Sequence, residues 1–229
     1  HYKDLGVQTE LYGDGLMLLE KEGIVTNRKK KANMGYSTTS LIMGSKALYD
    51  FVHMRAGVQM RPASYTNSAE TVRKNSPFIS VNTAIGVDLL GNVWADFIDH
   101  RRYYSGVGGQ PDFIRALNDY AYGAPIIAIK SVTHRSESKI TKMHPGGISL
   151  TASAYDGVVI VTEYGIADLR GLTTGEKAMA IARIAHPRFS DDLMRYVYDD
   201  RLFTKPIGLS LDKIPRGVTL YDGPTKLEA

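Results

Sequence analysis

The 229-residue sequence contains no cysteine, which excludes disulfide bonds, Cys-ligated zinc and a cysteine nucleophile. No segment approaches the roughly 20 consecutive apolar residues that a membrane-spanning helix needs. The first residues are polar and charged, unlike a signal peptide. We therefore expect no membrane partner and a cytoplasmic location, or a mitochondrial one if the source is eukaryotic.

The chain also has no large excess of positive or negative charge. Its 28 Lys and Arg residues and 24 Asp and Glu residues give a net charge of only +4. This diffuse excess does not indicate nucleic-acid binding, although it suits a small anionic ligand. The densest basic run, Arg28 to Lys31, is interpreted as a solvated turn rather than a phosphate-binding patch. The histidines show no close metal-ligand spacing, so we predict no metal site.

Short apolar runs alternate with helix-like segments along the chain, which predicts an α/β layered fold. The length suffices for one large domain or two small ones. Ser45 is a candidate N-cap, and Pro187 should end a helix that precedes it. The predicted strands cover 77–81, 125–129 and 157–162, and the predicted helices cover 16–21, 45–52, 112–120 and 174–186.

A glycine cluster lies in the stretch SGVGGQPDF, residues 105–113, where Gly106, Gly108 and Gly109 precede a predicted helix. Glycine permits positive φ and close approach of another molecule to the backbone. Successive N–H groups in such a turn can bind an anion. A tight structural turn without a ligand remains the alternative. The stretch matches neither a Walker A loop nor the dinucleotide-binding fingerprint.

Two polar residues are candidate catalytic groups. Glu10, in LGVQTELYGDG, is a lone acid among Val7, Leu11 and other apolar residues, which would destabilise its charged form and make it a better base or nucleophile, with Thr9 as a possible hydrogen-bond partner. A surface acid on a short strand is the alternative. Asn67, in YTNSAE, precedes a helix-like run, so it either caps that helix or donates to a developing oxyanion.

Other acidic residues are interpreted as structural. Asp14 lies between two glycines and is predicted to be a turn residue. Glu163, Asp168 and Arg170 could form an ion-pair network at the end of a strand.

Four stretches in order, LGVQTELYGDG, SVNTAIGVDLLGNV, YSGVGGQPDFIRA and VTEYGIADLRG, resemble the C-terminal domain of the acetyl-CoA hydrolase/transferase family. This group of family I CoA-transferases includes 4-hydroxybutyrate and succinyl-CoA:acetate CoA-transferases. The likeness extends from about residue 4 to about residue 200, and AHPRF at 185–189 also fits. It implies a single C-terminal domain over residues 1–229 with the α/β CoA-transferase fold, a central sheet flanked by helices. The family's N-terminal domain would be absent from this chain.

The resemblance also implies roles for individual residues. Glu10 matches the catalytic glutamate, which attacks an acyl-CoA thioester and later carries CoA as a glutamyl thioester. The amide of Asn67 and the backbone N–H of Gly109 match the oxyanion hole. Gly106, Gly108, Gly109 and Gln110 would bind CoA.

The resemblance implies acyl-CoA and a small carboxylate of the acetate, succinate, butyrate or 4-hydroxybutyrate class as substrates, with no permanently bound cofactor. The expected protein partners are the family's N-terminal domain and further copies of the same chain. Two alternatives stay open: an acyl-CoA hydrolase using the same glutamate, and a non-catalytic CoA- or anion-binding module.

Overall fold

A computed structural model describes residues 2–199, 203 and 210–222, and the chain divides into two compact units. The first unit comprises residues 1–78 and 115–123, and the second comprises 79–114 and 124–229. Residues 223–229, at the end of the domain predicted from sequence, lie outside the described residues.

The first unit contains a parallel three-stranded sheet in the order β1-β2-β3. Its apolar core comprises Val7, Tyr12, Met17, Val25 and Leu48. The strands are β1 (Gln8–Tyr12), β2 (Ser37–Ile42) and β3 (Val58–Met60), and the helices are α1 (Asp14–Lys21), α2 (Lys46–Val52), α3 (Ala63–Thr66) and α4 (Ala69–Lys74).

Helices α1 and α2 are joined at their N-terminal ends. Ser45 caps α2 as predicted, since its hydroxyl accepts from the Leu48 N–H. Its own backbone N–H and hydroxyl donate to the carboxylate of Asp14. The prediction that Asp14 is a turn residue is wrong, because Asp14 is the first residue of α1.

The second unit is built on a mixed five-stranded sheet in the order β13-β12-β11-β9-β4. A three-stranded sheet, β10-β5-β6, and a hairpin, β7-β8, complete its strands. The strands are β4 (Phe78–Thr83), β5 (Gly86–Asp88), β6 (Val93–Trp94), β7 (Phe97–Asp99), β8 (Arg102–Tyr103), β9 (Gly123–Ala128), β10 (Ile140–Thr141), β11 (Val159–Val161), β12 (Gly165–Asp168) and β13 (Val218–Leu220). The helices are α5 (Gln110–Ala116), α6 (Thr174–Arg183) and α7 (Pro187–Asp199).

The three predicted strands and four predicted helices are present, with changed ends. Helix α5 ends at Ala116 rather than at residue 120. Helix α6 begins at Thr174 as predicted, but it ends at Arg183 rather than at residue 186. Pro187 then opens α7, a helix that was not predicted, because proline at the first helical position lacks only an N–H that has no intrahelical partner there.

The basic run 28–31 is only partly a solvated turn. Arg28, Lys29 and Lys31 are exposed, but Lys30 is 5% exposed. Its ammonium group donates to the carbonyls of Val7 and Tyr36, both at 2.6 Å, which satisfies the buried donor. The interpretation of the whole run as solvated is therefore wrong for Lys30.

Across the residues that the structure describes, no helix is long and apolar enough to cross a membrane.

Candidate active site

Glu10 is the central residue of β1, the edge strand of the parallel sheet in the first unit. Alternation along β1 places Gln8, Glu10 and Tyr12 on one face of this sheet. Their partners on β2 include Thr38, opposite Gln8. The Glu10 side chain is partly buried, and its backbone carbonyl accepts from the Thr39 hydroxyl at 2.9 Å. The strand backbone therefore holds this carboxylate at a defined place.

Asn67 contacts the Glu10 carboxylate directly. It is 7% exposed and forms the C-cap of α3, where its Nδ2 donates to Glu10 Oε2 at 2.5 Å. The alternative that Asn67 caps the following helix is wrong, since the Ser68 hydroxyl accepts from Thr71 N and caps α4. Thr9 is not the partner expected for Glu10, because its hydroxyl donates to the Leu11 carbonyl.

Three further polar residues support this pair, and none was singled out from sequence. Thr66 Oγ1 donates to Asn67 Oδ1 at 2.9 Å and lies 3.1 Å from Ser40 Oγ. Gln8 Nε2 donates to the Thr66 carbonyl at 2.7 Å. Alternation along β1 could have placed Gln8 beside Glu10, whereas Ser40 and Thr66 could be found only with the register of β2 and the position of α3.

The glycine stretch belongs to the second unit. Gly108 has φ +60°, the left-handed conformation that glycine favours, whereas Gly106 and Gly109 do not. Gly109 is buried and Gly106 is exposed. In the described part of the chain, no acceptor bonds to the backbone N–H groups of residues 106–109. These backbone N–H groups therefore have no acceptor within the described residues.

Hydrogen bonds fix the backbone on both sides of the three glycines. On the N-terminal side, the backbone N–H groups of Tyr104 and Ser105 donate to the Asp96 carbonyl. On the C-terminal side, the Gln110 side chain donates to the Thr83 carbonyl at 2.9 Å. Gln110 is buried, so this amide tethers the first turn of α5 to β4.

The two other acidic residues of the predicted ion-pair network, Asp168 and Glu163, have structural partners. Arg170 pairs with Asp168 at 2.8 Å, which confirms that part of the predicted network. Burial alone would raise the pKa of Asp168, but hydrogen bonds from Arg170 outweigh it and hold that pKa below its usual range. Glu163 accepts from the backbone N–H and hydroxyl of Ser131. Within the described residues, no three His, Cys, Asp or Glu side chains cluster closely enough to hold a metal ion.

Comparison with known proteins identifies a family. The acetyl-CoA hydrolase/transferase C-terminal domain matches residues 44–197, which include Asn67 and the glycine stretch but not Glu10. A 4-hydroxybutyrate coenzyme A transferase from Clostridium kluyveri is 39% identical over 193 residues, which are 84% of this chain and 45% of that protein.

Two solved structures resemble the chain closely. RipA from Yersinia pestis has a TM-score of 0.79 at 31% identity, covering 86% of this chain and 44% of its own. A 4-hydroxybutyrate CoA-transferase from Porphyromonas gingivalis has a TM-score of 0.72 at 33% identity, covering 86% of this chain and 46% of its own. This chain thus spans less than half the length of these relatives. The predicted α/β CoA-transferase fold is confirmed, and the chain belongs to the acetyl-CoA hydrolase/transferase C-terminal domain family.

Proposed function

We propose that the protein transfers CoA between an acyl-CoA and a free carboxylate, with Glu10 as the nucleophile. The observation that carries this proposal is the contact between Glu10 Oε2 and the Asn67 amide, because it aims a hydrogen-bond donor at the place where a carboxylate would react. The similarity to 4-hydroxybutyrate CoA-transferases supports transfer as the reaction.

The first half of the reaction would load CoA onto the protein. One carboxylate oxygen of Glu10 attacks the thioester carbonyl carbon, and a tetrahedral oxyanion forms. The C–S bond then breaks, CoA leaves as a thiolate, and an acyl-glutamyl anhydride remains. The thiolate attacks the glutamyl carbonyl of this anhydride, so the first carboxylate is released and a glutamyl-CoA thioester forms.

The second half runs these steps in reverse with a different carboxylate. The incoming acid attacks the glutamyl-CoA thioester and expels the CoA thiolate, giving a new anhydride. The thiolate then attacks the acyl carbonyl of that anhydride. The new acyl-CoA leaves, and the free carboxylate of Glu10 is regenerated. No oxidant, reductant or metal ion enters this balance.

Asn67 would serve both the nucleophile and the oxyanion. Its Nδ2 carries two protons, and one of them donates to Glu10 Oε2. The other proton is available to the thioester oxygen as negative charge develops there. Removing one such donor typically costs about 3 kcal/mol of transition-state stabilisation.

We also propose that the backbone N–H of Gly109 is an oxyanion donor and that the stretch containing Gly106, Gly108 and Gln110 binds CoA. The support is that the N–H groups of 106–109 bond to no acceptor among the described residues. The nucleotide and pantetheine part of CoA does not react, so its binding energy can serve to position the thioester.

Acyl-CoA hydrolysis is the second candidate, because the family that matches residues 44–197 is described as containing hydrolases as well as transferases. A hydrolase would use the same glutamate and would deliver the acyl group to water. The two reactions are distinguished by adding acetate, succinate or 4-hydroxybutyrate to an assay that contains the CoA thioester of a different acid. A transferase forms the corresponding new acyl-CoA, whereas a hydrolase forms only free CoA.

Covalent trapping tests the nucleophile. The complete natural protein is incubated with acetyl-CoA, treated with hydroxylamine or borohydride, digested and analysed by mass spectrometry. We expect Glu10 to be recovered as its hydroxamate or its alcohol. The Glu10→Gln variant should show neither product and should have no CoA-transferase activity. Glu22→Gln, which changes an exposed acid near the end of α1, is the matched control and should behave as wild type.

Transfer activity retained in Glu10→Gln would contradict the assignment. Modification of another carboxylate would contradict it equally. A protein that binds CoA but neither forms the adduct nor turns over would instead be a non-catalytic CoA-binding module.

A further inference from the structure

Thr66 is hydrogen-bonded to the side-chain amide of Asn67, on the side away from Glu10. It is the last residue of α3 and is fully buried. Its Oγ1 is 2.9 Å from Asn67 Oδ1 and 3.1 Å from Ser40 Oγ. Because Asn67 Nδ2 bonds to Glu10 Oε2, the side chains form an unbroken chain from Ser40 to Glu10.

The protons in this chain can run in only one direction. Asn67 Nδ2 donates to Glu10 Oε2, so the NH₂ group is the end of the Asn67 amide that faces Glu10 and Oδ1 is the other end. Oδ1, at 2.9 Å, is the nearer acceptor for the single hydroxyl proton of Thr66, since the Ala63 carbonyl lies at 3.5 Å. Thr66 Oγ1 can in turn accept the proton of Ser40, whose hydroxyl is 3.1 Å from Thr66 Oγ1 and 3.3 Å from the Glu10 backbone carbonyl. Such a chain also polarises the amide and strengthens its N–H donors.

The backbone of Thr66 is held in place as firmly as its side chain. Gln8, two residues before Glu10 on the same face of β1, donates from Nε2 to the Thr66 carbonyl at 2.7 Å. Asn75 Nδ2 donates to Gln8 Oε1 at 2.6 Å and fixes the orientation of the Gln8 amide. The end of α3 is thus bonded to β1 through its carbonyl and to β2 through its hydroxyl.

We propose that Thr66 is a positioning residue whose hydroxyl fixes the orientation of the Asn67 amide, so that both N–H donors face Glu10 and the reacting carbonyl. The inference rests on the proposed function, since it gives Thr66 a role in the step that Glu10 and Asn67 carry out. Thr66 would act only through Asn67, to which its hydroxyl donates.

The test compares three variants of the complete natural protein in a CoA-transfer assay. Thr66→Val keeps the side-chain shape and removes the hydroxyl, and Thr66→Ser keeps the hydroxyl. Thr162→Val is the matched control, because Thr162 is 4% exposed and its hydroxyl donates to the Ile184 carbonyl in the second unit.

We expect Thr66→Val to lower kcat about tenfold, the effect of losing one hydrogen bond at the transition state, with KM for acyl-CoA within about twofold of wild type. Thr66→Ser should restore most of kcat, and Thr162→Val should have the wild-type kcat. A purely structural role for Thr66 would lower the melting temperature of Thr66→Val without this separation of kcat from KM.

A second measurement needs only the folded wild-type protein. The side-chain amide protons of Asn67 are identified by NMR from their absence in Asn67→Asp. If the hydrogen-bond chain holds the amide, these protons exchange with solvent slowly. Rapid exchange in the wild type would overturn the inference even if Thr66→Val did not fold.

The outcomes separate this inference from the proposed function. If Glu10→Gln and Asn67→Ala are inactive while Thr66→Val has the wild-type kcat, only the role of Thr66 is overturned. An equal loss of kcat in Thr66→Val and Thr66→Ser overturns the role of its hydroxyl. If Glu10→Gln itself remains active, the proposed function fails first.

Discussion

The ammonium group of Lys30 lies inside the first unit and donates to three neutral oxygen atoms, two backbone carbonyls and Thr38 Oγ1. Desolvation disfavours its charged form and lowers the pKa of Lys30 to about 8. The unfolded chain keeps an ordinary lysine pKa of about 10.4. Between these values the unfolded state binds more protons than the folded state, so this lysine makes stability rise with pH.

We therefore predict that Lys30→Met flattens the rise in the free energy of unfolding between pH 8 and pH 10. The contribution of one proton is at most about 1.4 kcal/mol per pH unit. Denaturant unfolding at several pH values measures it. Lys29→Met is the matched control, because Lys29 is exposed and should leave the wild-type slope unchanged. Equal slopes in wild type and Lys30→Met would refute the assignment.

The burial of Lys30 and the contact between Glu10 and Asn67 could not be predicted from local sequence patterns. The run from Arg28 to Lys31 predicts four exposed cations, and only the fold shows that Lys30 turns inward. Glu10 and Asn67 are 57 positions apart, so no local pattern could pair them. They were singled out together by resemblance to a family. Their contact is observed in the structure, and their catalytic roles remain proposals.

At the scale of elements, α6 is specified most completely by its own sequence. Thr173 accepts from the Glu176 backbone N–H, and the Glu176 carboxylate accepts from the Thr173 N–H at 2.8 Å, forming a capping box. Its start at Thr174 was predicted because the cap is a local signal, whereas its end at Arg183 lies three residues before the predicted one. Helices α3 and α4 are only four and six residues long, so their patterns were too short to predict.

We predict that the capping box of α6 contributes measurably to the free energy of unfolding. Thr173→Ala should lower the free energy of unfolding by about 1 kcal/mol, because the Glu176 backbone N–H at the helix start loses its acceptor. Thr173→Ser retains the capping oxygen and should remain close to wild type. Denaturant unfolding of both variants gives the comparison. An unchanged midpoint in Thr173→Ala would show that the box contributes nothing to stability.

At the scale of the whole molecule, the parallel sheet of the first unit has apolar side chains exposed on one face. Leu11 and Leu41 are 40% and 50% exposed and lie opposite each other on β1 and β2. Met60, 53% exposed, is the partner of Thr39 on the same face. Parallel sheets are normally covered on both faces. None of the three strands of this sheet was among the strands predicted from sequence, since β2 and β3 carry few of the patterns that mark a buried strand.

The relatives are more than twice as long as the part that this chain matches, so we predict that the 229-residue chain alone turns over slowly. Glu10 is only partly buried here, and acyl transfer needs donors and substrate held in one geometry away from water. Misplacing such groups can cost on the order of a hundredfold in rate.

The assay measures new acyl-CoA formed from acetyl-CoA and 4-hydroxybutyrate. The C. kluyveri transferase serves as the positive control, and a cooperative thermal melt shows that the chain is folded. Transfer by the folded chain at a rate near that of the control would mean that Glu10 and the groups around it suffice, and that the rest of the relatives' length serves another purpose.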